Sequence, residues 1–163
     1  MNSKISITLS SHNVEKVVNL LNNSPEEIRK LTNGIESILL VTRKEENSWS
    51  VVEIMAHLHA CATIWGDTIQ EMLTHSFPVI EYHHPGEWQY LSEFSKMSFA
   101  QSLDIFIQNR RKLKSQLTNL KLEDWGRIGF IKGKKHTIYS QARRLALHEF
   151  SHLEQISSSI ILI

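Results

Sequence analysis

Cysteine is almost missing from this chain of 163 residues: Cys61 stands alone, so no internal disulfide can form and the fold must rest on a buried core. Proline and glycine are also scarce, at three and six residues, which excludes collagen-like and low-complexity architectures and leaves few obligatory turns. No charge of one sign dominates, because 18 Lys and Arg face 17 Asp and Glu for a formal net charge of +1. A broad basic surface for nucleic acid or for an anionic membrane is therefore not expected. The opening segment MNSKISITLSSHN holds too short an apolar run for a signal peptide or a membrane span. A lone thiol with no such leader implies a reducing cytoplasm.

What is present is a composition of 41% hydrophobic and 21% charged residues, enough for a single domain over residues 1–163. Histidine is generous at nine residues, and Trp49, Trp65, Trp88 and Trp125 bring large apolar surfaces. Apolar residues recur at helical spacing almost throughout, which predicts an all-α protein. The first helical region spans about Asn13 to Leu21 and restarts at Ser24, which can cap, with Pro25 at the first helical position. A short helix follows around Ile35 to Val41. The second long helix carries Val51, Ile54, Met55, Leu58, Cys61, Trp65, Ile69 and Met72 on one stripe.

A long loop from about His75 to Met97 comes next, rich in aromatic residues and holding the pair His83 and His84. Ser98 and Gln101 read as a capping box that opens a third helix, whose outer face is rich in Lys and Arg. DWGRIGFIKGKKH, residues 124–136, reads as a turn or small hairpin. Thr137 can then cap a fourth helix that runs to about Ser159. Four helices with sizeable loops between them form a bundle.

The stretch HEFSHLEQI, His148 to Ile156, matches the His-Glu-x-x-His pattern in which metalloproteases hold zinc. The longer protease pattern needs a glycine and a histidine where Gln155 and Ser158 stand, so a metalloprotease is only a minor alternative. Any third ligand must come from upstream. Residues advance about 100° around a helix, which turns His57 inward with Cys61 and Trp65 and turns His59 toward water. His148 and His152 border the apolar stripe of the last helix, beside Arg144 and Gln155. Spacing alone leaves two readings open, a three-histidine site or hydrogen-bonded core histidines. Cys61 reads as a small buried hydrophobe within its stripe.

Three segments together resemble the DinB superfamily of bacterial four-helix-bundle proteins: SWSVVEIMAHL, EDWGRIGF and LALHEFSHLEQI, within roughly Ser24 to Ile156. The resemblance implies a DinB-type bundle with long inter-helix loops, and one divalent metal ion bound by His57, His148 and His152. Zinc or nickel is the leading expectation, with iron, manganese or copper also compatible. It further implies a metal-dependent hydrolase, or a transferase using a low-molecular-weight thiol, acting on a small molecule. Glu149 is then a candidate for orienting a water or a ligand, and Gln155 and Arg144 are candidates for the substrate wall. A homodimer is expected, because family members pair and the chain ends in the apolar IILI. A non-enzymatic, metal-stabilised or metal-sensing dimer is the alternative.

Overall fold

Ser10 opens the first long helix, accepting from the Asn13 N–H at 3.3 Å, and the computed structural model describes residues 5–84 and 96–160. Helix α1 runs unbroken over Ser11–Thr32, so the restart expected at Ser24 is absent. Pro25 cannot donate to the Leu21 carbonyl, and the Ser24 hydroxyl lies 3.3 Å from that oxygen. Helix α2 is a single short turn, Ser37–Val41, and α3 spans Val51–Thr74. A capping box fixes the start of α3: Ser50 Oγ accepts from the Glu53 N–H at 3.3 Å and Glu53 Oε2 accepts from the Ser50 N–H at 2.8 Å.

Strand β1 is Val79–Ile80, and α4 is Phe99–Leu117, opened as expected by the Ser98–Gln101 box. A 3-10 turn at Asp124–Gly126 leads into β2, Ile128–Ile131, and β3, Lys134–Thr137. The two residues between these strands, Lys132 and Gly133, have φ of 50° and 70°, the left-handed conformations that a tight hairpin requires. Helix α5, Ile138–Ile160, follows at once, with Thr137 Oγ1 accepting from the Ser140 N–H at 3.1 Å. The hairpin therefore stands where the glycines placed it. The sheet has a third strand that a two-residue run could not announce, because β1 pairs in parallel with β2 through Val79–Phe130 and Ile80–Ile131.

The four long helices close into a bundle in which α1 lies against α4 and α5, and α3 also lies against α4 and α5. Two apolar layers fill it. One, toward the sheet, gathers Trp65, Ile69, Met72, Leu117, Trp125 and Ile138; the other, at the far end, gathers Ile28, Ile54, Leu58, Phe106 and Ile156. Ser24, Arg110 and Glu149 sit along their helices between the two layers, forming a polar level inside an apolar stack. His59, expected to face water, is only 2% exposed, because α3 is buried on every side from Ile54 to Ala62. No described helix is long and apolar enough to cross a membrane. Of the long loop, residues 85–95 lie outside the described residues, as do 161–163 of the apolar tail.

Candidate metal centre

The seam between α3 and α5 brings the three predicted imidazoles together. Four-residue spacing puts His57 and Cys61 on one face of α3, and His148 and His152 on one face of α5. The helices pass in opposite directions there, so Trp49 stacks near His152, with ring centres 6.2 Å apart, while Trp65 meets His148 edge-on at 5.1 Å. His148 Nε2 lies at the middle of the cluster, 3.2 Å from His57 Nε2 and 3.3 Å from His152 Nε2. A tetrahedral ion with bonds of about 2.05 Å to nitrogen separates its nitrogen donors by about 3.3 Å. The His57–His148 and His148–His152 edges both fit that donor spacing.

Protonation state follows from the surroundings. Burial pushes the His57 imidazole down to about 4, helped by the charges of His152 and His84, and burial with His152 and His57 pushes His148 down to about 3. His152 is also lowered by burial, against a rise from Gln155. The rings are thus neutral at neutral pH and their lone pairs are available. His152 Nδ1 lies 2.8 Å from Gln155 Oε1, an oxygen that can only accept, so this nitrogen carries the hydrogen and Nε2 presents its lone pair to the cluster. Among the described residues, Nδ1 of His57 and Nδ1 of His148 have no such hydrogen bond. Their rings are instead positioned by packing, with Trp49 edge-on to His57 at 5.0 Å and Trp65 on His148.

Other candidate residues fall differently. Gln155 serves as the hydrogen-bond anchor of His152. Arg144 is exposed, with its guanidinium 5.0 Å over the Trp65 ring, so it stands at the rim of the cluster rather than within it. Glu149 does not reach the imidazoles: Ser24 donates to its Oε2 at 2.7 Å and Arg110 pairs with its Oε1, both from other helices. Burial pushes this carboxyl up, and Arg110 and Ser24 pull against the shift. A glutamate so engaged cannot serve as the base of a His-Glu-x-x-His protease. His83 and His84 are exposed.

Two participants escaped the reading of the sequence. Arg110, on a helix whose outer face is rich in Lys and Arg, is 3% exposed; its position between Phe106 and Leu113 on the apolar stripe was the available signal. Cys61 was assigned to the core, and its Sγ lies 3.5 Å from His57 Nε2. His57, Cys61 and His148 each offer one donor atom, all within 4.8 Å of one another.

A helical bundle with an imidazole cluster lodged between two neighbouring helices is a scaffold able to carry a metal ion in its own core. The chain belongs to the DinB superfamily, whose family model matches residues 20–156. Among solved structures it is similar to YfiT from Bacillus subtilis, described as "a probable metal-dependent hydrolase with an unusual four-helix bundle topology". That likeness has a TM-score of 0.84 and covers 96% of this chain and 90% of the other. At 16% identity it is a likeness of fold. No curated protein sequence matches this chain.

Proposed function

We propose that the chain is a metal-dependent enzyme acting on a small molecule, with one divalent ion held by His57, His148 and His152. The observation that carries this reading is the convergence of three neutral imidazoles, with His148 Nε2 at 3.2 and 3.3 Å from its two partners. Nitrogen donors suit zinc or nickel, and iron or copper after them. When bound, such an ion supplies Lewis acidity and a reactive anion at neutral pH, drawn from water or from a small thiol. The protein's own contribution is positional. Gln155 fixes the His152 tautomer, the indoles of Trp49 and Trp65 shield two sides of the cluster from solvent, and Arg144 holds a positive charge at the rim.

Hydrolysis is the favoured reaction, supported by what is said of YfiT, and thiol transfer is its competitor. Metal analysis of tag-free protein should give one divalent ion per chain. Turnover of a small ester, amide, epoxide or haloarene should vanish on chelation and return with metal. A hydrolase needs no added thiol, whereas a transferase is silent until one is supplied. A metal-loaded sample inactive on all four classes, with and without thiols, would leave the metal-stabilised bundle as the better reading. The same proposal includes a homodimer, and light scattering showing a monomer at high micromolar concentration would remove it.

A further inference from the structure

We propose that Cys61 is a fourth donor to the same ion, so that the set is three imidazoles and one thiolate. The inference rests on the metal reading above and deepens it. Cys61 lies one turn beyond His57 on α3 and is fully buried at 0% exposure, yet its sulfur does not simply pack among aliphatic groups. Sγ stands 3.5 Å from His57 Nε2, the same nitrogen that faces His148 Nε2 at 3.2 Å. With bonds of about 2.3 Å to sulfur and about 2.05 Å to nitrogen, a tetrahedral ion sets a sulfur–nitrogen edge of about 3.6 Å. Three of the six edges of one tetrahedron are therefore close to their required lengths, His57 to His148, His148 to His152, and His57 to Cys61, and the donor atoms of His57, Cys61 and His148 all lie within 4.8 Å of one another.

Coordination would break the S–H bond and release its proton to solvent, forming a sulfur–metal bond with no change of oxidation state. The thiolate lowers the charge of the site from +2 to +1. It biases the site toward zinc and away from magnesium, calcium and manganese, which prefer oxygen. It also fills the position that an external ligand would otherwise take, so a small molecule enters by displacing sulfur or by raising the coordination number to five. A buried thiolate at that position makes the resting protein less open than a three-histidine site.

The test is the spectrum of tag-free protein loaded with cobalt(II). Cys61 is the chain's single cysteine, so a strong near-ultraviolet sulfur-to-cobalt charge-transfer band in the native chain can arise from no other thiolate. X-ray absorption of the zinc-loaded protein should place one sulfur at about 2.3 Å. Cys61→Ala and Cys61→Ser should still bind one cobalt and lose the band, and a small thiol added to Cys61→Ala should bring a band back. Cobalt bound one per chain with no band and no sulfur neighbour would overturn the proposal while leaving the three-histidine site intact. Failure of the native chain to bind either metal would overturn both. If neither variant folds, the native spectra alone decide.

Discussion

Two polar clusters cross this bundle at one level, and they begin on adjacent residues of α5. Glu149 points toward α1 and α4, where Ser24 and Arg110 satisfy both carboxylate oxygens. His148 points toward α3, where ring nitrogens meet one another at 3.2 and 3.3 Å. The first cluster pairs a charge with its opposite and joins three helices, with both carboxylate oxygens engaged. The second brings three imidazoles together through their Nε2 atoms, with the Nδ1 of His152 anchored by Gln155. A charge pair held across three helices is architecture, and a cluster of neutral ring nitrogens is a set of donors that a cation could use.

The comparison breaks most visibly at His148. Replacing it by alanine should abolish stoichiometric metal binding while leaving the Arg110–Glu149 pair in place, as measured by metal analysis beside a urea melt. One ion per chain in His148→Ala would mean that the open cluster is not the site. On the closed side, Arg110→Met strands a buried carboxylate and should cost about 3–5 kcal/mol of folding stability, read from the urea midpoint, while metal stoichiometry stays the same. A change under about 1 kcal/mol would show that the pair is not the clamp described here.

Smaller effects sharpen the contrast. Gln155→Leu removes the acceptor that fixes the His152 tautomer and should weaken metal affinity by about 10–100-fold, with little change in the stability of the metal-free protein. Competition against a chromophoric chelator measures it, and an unchanged affinity would assign Gln155 elsewhere. The pH dependence is gentler still. In the metal-free protein His57 and His148 titrate at about 4 and about 3, below the ordinary value near 6.5. Between those limits the unfolded chain binds more protons than the folded one. The two histidines thus cost no stability above about pH 6.5, and a penalty for charging them inside the fold grows as pH falls toward about 4. Urea midpoints across that range should fall for the native chain and fall less for His57→Ala.

Much of this arrangement was legible in the sequence, where local rules and tertiary structure agreed. The Ser98–Gln101 box, the Lys132–Gly133 turn and the inward azimuths of His57, His148 and His152 each follow from spacing and side-chain chemistry alone. The misreadings arose where a distant partner overruled a local rule. Pro25 reads as a helix start, yet the Ser24 hydroxyl reaches both Leu21 and Glu149 and the helix continues through it. Arg110 reads as solvated until Glu149 is placed opposite it. His59 pointed away from the apolar stripe, but azimuth on one helix does not say what lies in that direction. Cys61 lies in the core as its stripe implies, and its further approach to His57 Nε2 depends on how the two side chains turn, which spacing does not encode.

The sheet packs on the far end of α3: a Cβ on Gly129 would meet Met72 Cγ at 3.0 Å, and Arg127 Nε donates to the Met72 carbonyl at 2.9 Å. From Met72 back to His57 the helix is a rigid arm of about 22 Å at 1.5 Å rise per residue. Ligand distances in a metal site tolerate about 0.2 Å, which at the end of such an arm is a tilt of about half a degree. The small sheet is thereby the fulcrum of the centre. A methyl group added at Gly129 would act like a shim under a lever, felt in the coordination geometry at a place it never touches.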